Sequence, residues 1–532
     1  MFKIVTDFFR SCDKKQFIIR WFFISVVLVV ITSLISINVY EALELTQNIE
    51  FASYKYGKTD VTGVDIVEFR YKLGRWIMPL IHYIEINLLE KIGVKNPFIQ
   101  AVVFRLTWGA IGLIAIYLLM LLSYKITDNE KISKIIIILL SILPFIPFFI
   151  VRGGNTTFSS VLLAIGISLF LLYSKNDNNQ KISSLLIFFV GIVFGLAVVV
   201  RLQVLPFLAG FYLWVFFIFT KDKLDAFLKL LVMSLGIIIS LIGGFFIDSW
   251  GYGEWTNTIW NYFDYNIIKG LSKVYGTDPF YGYFYLIPRM FPRFIIIPSI
   301  VMIGYVIFWI RNPKNILTWT TLPFVISHFF IAHKEARFML PIFIFAPIIL
   351  VMAFYFEKGR IYELYNKINK KIIKAIIFLF FLISMFSFFY IINKGDYRDT
   401  INFQRYIYYN FKDGFEGYTM ISKESEYPFE FWVKSYFYRP KHFKTTLLNG
   451  IEQIEDIMKT QEKIYLIGKD INLTDKDNIY TVKELFSVKE NNYIKQIIKL
   501  TINKIKKDKF DLSLPNKNIC VLYLIERNHN TD

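Results

Sequence analysis

The chain of 532 residues is 55% hydrophobic and 18% aromatic, and its apolar runs of about 17 to 22 residues are long enough to cross a bilayer, which excludes a soluble domain. The formal net charge of +18 does not point to nucleic acid, because much of the Lys and Arg excess sits in short connections between the runs. With Cys12 and Cys520 as the only cysteines, neither a disulfide framework nor a Cys-based metal site is available.

In chain order the runs predict about eleven spans, near 20–38, 102–122, 134–150, 158–174, 184–200, 203–220, 227–247, 294–310, 316–332, 338–356 and 373–392. The first follows Lys14, Lys15 and Arg20 and continues without a small-residue cleavage site into "INVYEALEL", as an uncleaved signal anchor does. The connections "YKITDNEKISK", "SKNDNNQK", "TKDKLD", "IRNPKN" and "EKGRIYELYNKINKKIIK" are short and basic, so the positive-inside rule assigns them and the N-terminus to the cytoplasm. The alternate set faces outward: 39–100, "RGGNTT", the "VRLQ" joint, 248–293, "HKEAR" and the tail after 393. Cys12 and Cys520 then lie on opposite sides of the membrane.

This divides the chain into a membrane domain, 1–392, whose first outward loop is 39–100, and an extracytoplasmic domain, 393–532. In the loop, "EALELTQNIEFASYKYG" and "FIQAVVF" place apolar residues at helical spacing on either side of "KTDVTGVD", which predicts two amphipathic helices along the membrane surface. The tail mixes strand-like runs, "GYTMISK", "KIYLIGKD" and "NICVLYLIE", with the helix-like "NGIEQIEDIMKT", which predicts a small α/β domain. A structural cap over the outer face and a binding site for the acceptor are its two readings.

Ionisable groups at membrane depth are costly unless paired or placed at a wet cavity, so they mark candidate sites. On the outward side they are Glu41, Glu44, Gln47 and Glu50, then Arg152, Arg201 with Gln203, Asp248, and His333, Lys334, Glu335 and Arg337 of "HKEAR", with His328 five residues upstream. Glu44, Gln47 and Glu50, three apart, can share one helix face. Carboxylates opposite several cations suit a transferase with a lipid-phosphate-linked sugar: the carboxylate takes a proton from the acceptor hydroxyl, and the cations hold the departing phosphate. Taken singly, each of these residues also reads as a snorkelling anchor or an interfacial ion pair. The outward segment "DSWGYGEWTNTIWNYFDYN" adds Trp255, Trp260, Asn261 and Tyr262, which can stack on or hydrogen-bond a sugar, or form an interfacial aromatic belt.

At these residues the sequence resembles glycosyltransferase family 22, the polyprenyl-phosphate-sugar-dependent mannosyltransferases of the GT-C superfamily. "SHFFIAHKEARF" is similar to the family's His-Lys-Glu-x-Arg-Phe signature with its upstream His. "DSWGYGEWTNTIWNYFDYN" followed by "YGTDPFYGYFY" is similar to its Asp-x-Trp-x-Tyr-Gly … Asn-Tyr … Gly-x-x-Pro-Trp segment, with "DPF" as a departure. "LELTQNIEFASYKYG" resembles its first outward loop, and "GLAVVVRLQ" and "VRGGNTTFSS" sit where the family carries an Arg. Together these cover about 40–345. Where the family reads His-Pro-Asp-Glu this chain reads "EALE", with Leu43 at the Asp position. Either Glu44, and after it Glu41, takes the role of base, or the fold is kept without its chemistry.

The resemblance implies an all-α polytopic GT-C membrane protein and inverting transfer, most simply of mannose, from a polyprenyl-phosphate donor to a glycan or glycolipid acceptor, with no metal or other cofactor. His333, Lys334, Glu335, Arg337, Arg201, Gln203, Arg152, Asp248, Trp255, Trp260, Asn261 and Tyr262 are then the substrate-binding residues. A pentose or amino-sugar transferase, and a polyprenyl-glycan flippase, are the alternatives, although no inverted repeat of the transporter kind is evident. The Lys, Ile and Asn bias suits a bacterial plasma membrane; in an endoplasmic-reticulum membrane "NTT" at Asn155 and "NLT" at Asn472 would be glycosylation sites.

Overall fold

The computed structural model describes residues 13–37, 44–59, 67–127, 129–174, 183–289, 296–355, 370–393, 398–411, 414–420, 436–439, 443–448, 452–468, 480–489 and 518–527. The chain forms two compact units, 1–395 and 396–532.

The first unit is helical. Its helices are α1 Lys14–Ile35, α2 Glu50–Tyr56 (continuing a π-helical turn, Glu44–Ile49), α3 Val67–Arg70, α4 Ile77–Lys91, α5 Pro97–Ile126, α6 Glu130–Ile142, α7 Phe145–Ile150, α8 Asn155–Tyr173 and α9 Ser184–Val200. They continue with α10 Leu205–Trp214, α11 Lys223–Tyr252, α12 Thr258–Phe263, α13 Tyr283–Arg289, α14 Ile296–Arg311, α15 Ile316–Phe330, α16 Leu340–Phe343, α17 Ala346–Phe354 and α18 Lys370–Asn393. Among the described residues, five segments are long and apolar enough to cross a membrane: α1, α5, α8, Leu202–Phe219 and α11. The pair Ala336–Phe343 and Ala346–Phe354, bent by 76°, makes a sixth if it counts as one span, and four further helices are apolar but shorter. The protein is a multi-pass membrane protein.

Close approach of these helices depends on small residues, since lipid offers no hydrophobic force to press them together. Between α9 and α11, a Cβ on Gly191 would stand 2.1 Å from the Met233 carbonyl oxygen, and one on Gly236 would stand 2.3 Å from that of Phe188. Ser240 on α11 donates across the same seam to the Ile192 carbonyl, 2.9 Å away.

Three expectations need correction. The span near 134–150 is broken into α6 and α7, because Leu143, which precedes Pro144, is extended (ψ 123°). The span near 338–356 bends at 344–345, where Pro347 has no N–H to offer the Phe343 carbonyl and its ring would strike it. "FIQAVVF" is not a surface helix: Asn96 caps Phe98 N, Pro97 occupies the first turn, and the helix runs on as α5. The second helical stretch of the loop is instead α4. The first one does not lie open on the surface, since Gln47, Asn48, Glu50 and Phe51 are buried.

The second unit carries a five-stranded sheet of β1 Phe415–Met420, β2 Phe443–Leu448, β3 Lys463–Gly468, β4 Tyr480–Lys489 and β5 Asn518–Arg527, in the order β2-β1-β3-β5-β4. β1 runs parallel to β2 and β3, whereas β5 is antiparallel to β3 and β4. The helices Arg398–Asn410 (α19) and Glu452–Thr460 (α20) belong to this unit, and Ile454 and Met458 of α20 pack on Leu448, Leu466 and Ile525.

Candidate active site

The "HKEAR" segment leaves α15 at Ile331, which is extended, and stays open until a 3₁₀ turn, Ala336–Met339, leads into α16. The stretch 276–278 runs beside it: Asp278 N donates to the Ala332 carbonyl at 2.9 Å, and His333 Nδ1 donates to the Gly276 carbonyl at 3.1 Å. Gly276 has φ +100°, a conformation that an L side chain rarely adopts, and this turn brings its carbonyl to the imidazole.

The four ionisable groups are arranged, not merely adjacent. Glu335 takes Arg337 in a two-point grip, Nε to Oε2 at 2.5 Å and Nη2 to Oε1 at 2.8 Å, and His333 Nε2 lies 3.1 Å from the same Oε1. Both ring nitrogens of His333 therefore face oxygen acceptors, the Gly276 carbonyl and the Glu335 carboxylate. Burial favours the neutral form of Glu335, but the charge and hydrogen bonds of Arg337, with those of His333, outweigh it and hold the carboxyl below the ordinary carboxylate value. Lys334 is only 4% exposed; its Nζ donates to the Ile331 and Asp278 carbonyls and its stem lies over Gly282. That burial lowers the ammonium pKa, opposed by the charge of Asp278, whose Oδ1 accepts from the Tyr285 hydroxyl.

Arg201 joins this cluster. The chain breaks helical geometry after α9, which points Arg201 at the Thr156 hydroxyl (Nη1 to Oγ1 2.7 Å) and over the Phe338 ring (5.1 Å from its centroid), with Arg337 6.0 Å from the same centroid. Arg152 does not join it by any contact described: its guanidinium lies 4.3 Å from the Phe148 ring centroid and donates to the Ser36 hydroxyl.

A second polar cluster is built around Asp248, which is 2% exposed near the end of α11. Its Oδ1 accepts from Trp76 N at 2.7 Å and its Oδ2 from the Thr258 hydroxyl, which in turn accepts from Arg75 Nη1 at 2.8 Å. Asp248 thus ties the first loop to α11 and α12, and its lone pairs serve the fold. Arg75 lies 5.9 Å from the Tyr262 ring centroid, and the Tyr262 hydroxyl accepts from Gln203 Nε2 at 3.1 Å. Asn261 donates to the Lys72 carbonyl at 3.3 Å. Trp255 is 76% exposed and stacks on Phe245 at 5.7 Å, the arrangement of an interfacial ring; Trp260 is also exposed, beside Phe263.

The first loop meets both clusters. Asn48 donates to the Gly153 carbonyl at 2.5 Å and to Asn155 Oδ1 at 3.3 Å, which fastens the turn before α2 to the "RGGN" corner. Glu44 begins that π-helical turn, and its side chain lies outside the described residues; Glu41 lies outside them altogether. One carboxylate that sequence reasoning missed does reach the cluster. Glu68, in a stretch where the sequence predicts no element, is half-buried within electrostatic range of Arg337; burial raises its pKa, while its backbone contact and Arg337 oppose the rise. Its carbonyl is fixed by Leu73 N at 2.8 Å and by the Tyr252 hydroxyl at 3.3 Å. Arg75 and Tyr283 were missed as well, because nothing in their local sequence marks an Arg before Trp or one Tyr among many.

A half-open apolar cavity of about 620 Å³ begins beside the cluster and runs between α13, α14, α15 and α16. Tyr283 and Met339 line it next to the polar loop, with Tyr305 and Trp309 further along, and Ile303, Ile326 and Phe330 on its walls are exposed to the outside of the bundle. Among the described residues no three His, Cys, Asp or Glu side chains gather to hold a metal ion.

The sequence matches the Alg9-like mannosyltransferase family over residues 10–430. It is 24% identical over 472 residues to GPI mannosyltransferase 3 of Debaryomyces hansenii, covering 84% of this chain and 80% of the yeast protein. Over a shorter stretch of 113 residues it is 31% identical to the probable Dol-P-Man:Man(7)GlcNAc(2)-PP-Dol alpha-1,6-mannosyltransferase of Schizosaccharomyces pombe, 21% of this chain and 20% of that one. In fold it is similar to ArnT from Cupriavidus metallidurans, solved with undecaprenyl phosphate bound, with a TM-score of 0.55 over 95% of this chain and 98% of ArnT at 8% identity. Family match and fold agree with the signature on which the polar loop is built: the chain belongs to the Alg9-like mannosyltransferase family and is a membrane glycosyltransferase of the GT-C fold.

Proposed function

We propose that this protein transfers mannose from a polyprenyl-phosphate donor to a glycan or glycolipid acceptor at the outer face of a bacterial plasma membrane, with its N-terminus in the cytoplasm and its second unit outside. The observation that supports the donor is the apolar groove: it opens through exposed Ile303, Ile326 and Phe330 where a lipid chain can enter, and it ends at Tyr283 and Met339, against the cluster of cations. A polyprenyl chain fills the groove and its phosphate meets Lys334, Arg337, His333 and Arg201. Three cations, Lys334, Arg337 and Arg201, gather there, which suits an anion.

In a single displacement the acceptor hydroxyl oxygen attacks the anomeric carbon, the bond from that carbon to the phosphate oxygen breaks, and polyprenyl phosphate leaves with the electron pair. The hydroxyl proton passes to Glu44, with Glu41 as the second choice; Glu335 holds His333 and Arg337 in position. Gln203, Tyr262 and Asn261 line the acceptor side, braced by Asp248 through Arg75.

The test is transfer of labelled mannose from polyprenyl-phosphate mannose by the purified protein, beside Glu44→Gln and Lys334→Ala variants that still fold. Wild-type transfer with a loss of about 10²- to 10⁴-fold in Glu44→Gln is expected. No transfer from any polyprenyl-phosphate sugar to a panel of glycan acceptors would sink the proposal and make Leu43 the governing residue.

A further inference from the structure

Two buried polar atoms beside Arg201 are not used by the fold. Tyr283, the first residue of α13, is 0% exposed; its ring packs against Phe329 at 5.6 Å, and its hydroxyl has no hydrogen-bond partner among the described residues. His328, in the last turn of α15, is 1% exposed, and its Nδ1 lies 2.8 Å from the Phe324 carbonyl. A carbonyl only accepts, so Nδ1 carries a hydrogen, and in the neutral ring Nε2 is left with a bare lone pair, again without a partner among the described residues. Arg201 is within electrostatic range of both side chains, and Glu335 and Asp278 are within range of the Tyr283 hydroxyl. Such an atom is explained by strain, by a role in the chemistry or by a bound molecule, and these two lie within electrostatic range of the cation of the candidate site.

The two atoms ask for different things. A phosphate offers acceptors only, so it suits the Tyr283 O–H and the Arg201 guanidinium and is repelled by the His328 lone pair. A sugar hydroxyl offers a hydrogen, so it suits His328. A lipid-phosphate sugar presents both groups, joined through one anomeric carbon. We infer that Tyr283 and His328 complete the donor subsite around Arg201, Tyr283 Oη donating to a phosphate oxygen and His328 Nε2 accepting from one hydroxyl of the transferred sugar, which makes His328 a residue that selects the sugar. This rests on the polyprenyl-phosphate donor proposed above.

The test uses the full chain with Tyr283→Phe, His328→Phe and His328→Gln, and polyprenyl-phosphate mannose beside its 2-, 3-, 4- and 6-deoxy analogues. Tyr283→Phe lowers kcat/KM about 10- to 100-fold for every donor. His328→Phe lowers it similarly for the parent donor, yet one deoxy donor, poor with wild type, loses nothing further in this variant; His328→Gln, which keeps an acceptor, recovers part of the loss. Binding of sugar-free polyprenyl phosphate weakens in Tyr283→Phe and is unchanged in His328→Phe. Because the Tyr283 hydroxyl has no partner among the described residues, Tyr283→Phe melts at or above the wild-type temperature, whereas His328→Phe also loses the Nδ1 bond to the Phe324 carbonyl and is read by its donor profile. Lower melting of Tyr283→Phe, normal transfer by the variants, or equal losses with every deoxy donor in wild type and His328→Phe overturns the subsite and leaves the donor standing; the last of these means that a water occupies the site. Wild type that neither binds nor uses the polyprenyl donor overturns both.

Discussion

Asp248 separates a scaffold residue from a contact residue, because the sequence reads it as substrate-binding and the structure gives its carboxylate to the fold. Asp248→Ala strips the acceptor from Trp76 N, 2.7 Å away, and from the Thr258 hydroxyl, and takes the charge of Asp248 from Arg75, which is 4% exposed. Removing one partner from such a buried charged network costs about 3–5 kcal/mol. Asp248→Asn keeps the shape and one accepting oxygen but turns an amide N–H towards the other donor, so it costs about 1–2 kcal/mol. Denaturant titration of micelle-solubilised protein reads stability, and turnover at a temperature where all variants stay folded reads catalysis. The expected result is a graded loss of stability, Ala worse than Asn, with turnover per folded molecule of the Asn variant within about threefold of wild type, under 1 kcal/mol. Wild-type stability in Asp248→Ala would refute the bracing role; a loss above about 100-fold in Asp248→Asn at unchanged stability, near 2.7 kcal/mol, would place the carboxylate on the substrate.

Four further outcomes follow from the site. Lys334, whose pKa burial lowers, loses its proton below the usual lysine value of about 10.4, so the alkaline limb of the kcat/KM profile lies below that pH, and Lys334→Arg moves it up; a limb unmoved by the substitution would mean that another group titrates there. Glu335 has a depressed pKa, so its contribution to stability is full above about pH 4.3 and is lost as the pH falls through the lower folded value; the stability difference between wild type and Glu335→Gln is therefore flat above that point and shrinks below it. Gly251→Ala would set a Cβ 2.0 Å from Trp76 Cδ2, whose ring is 0% exposed, and is expected to cost about 1–3 kcal/mol in the same titration, whereas Gly253→Ala meets no atom but is strained by its φ of +76°. Trp255→Ala, at a ring 76% exposed, is expected to leave kcat within about twofold while weakening reconstitution into bilayers, as an interfacial anchor would.

The membrane core was legible wherever one signal dominated. The run predicted at 184–200 is the helix Ser184–Val200, and 203–220 is Leu202–Phe219, since an unbroken apolar stretch in lipid has no other way to satisfy its backbone. Where a proline sat inside a run, hydropathy overruled chain stereochemistry in the reading, and the breaks at Leu143 and at 344–345 were lost. In the sheet, β3 and β5 were visible as apolar runs, whereas β4, "YTVKELFSVK", carries charges between its apolar residues as an edge strand does and was passed over, as was β2. The site divides in the same way. "HKEAR" announced itself by packing four ionisable groups between two spans, and the pairing of Glu335 with His333 and Arg337 stays inside it, but the bracing of Asp248 by Trp76 and the approach of Glu68 to Arg337 join residues far apart in sequence. No local pattern encodes them.

The grip of Glu335 on Arg337 and His333 bears on what such a site can do for the proposed reaction. A polyprenyl-phosphate sugar is a diester with one negative charge, whereas the departing polyprenyl phosphate is a monoester that gains charge as the bond breaks. Cations left wholly unpaired would bind the diester tightly and would have to be reoriented as the charge moves. Here Arg337 and His333 are already held by Glu335, and Lys334 is buried against carbonyls, so the ground-state attraction is moderated while the donors stay fixed in direction. Charge appearing on the phosphate oxygens then meets donors that need no reorganisation, and an interaction that strengthens only as the bond breaks raises kcat rather than merely lowering KM. On this account the carboxylate in the middle of the cationic loop does not weaken the site. By fixing Arg337 and His333 in direction, Glu335 presents them to the developing charge without reorganisation.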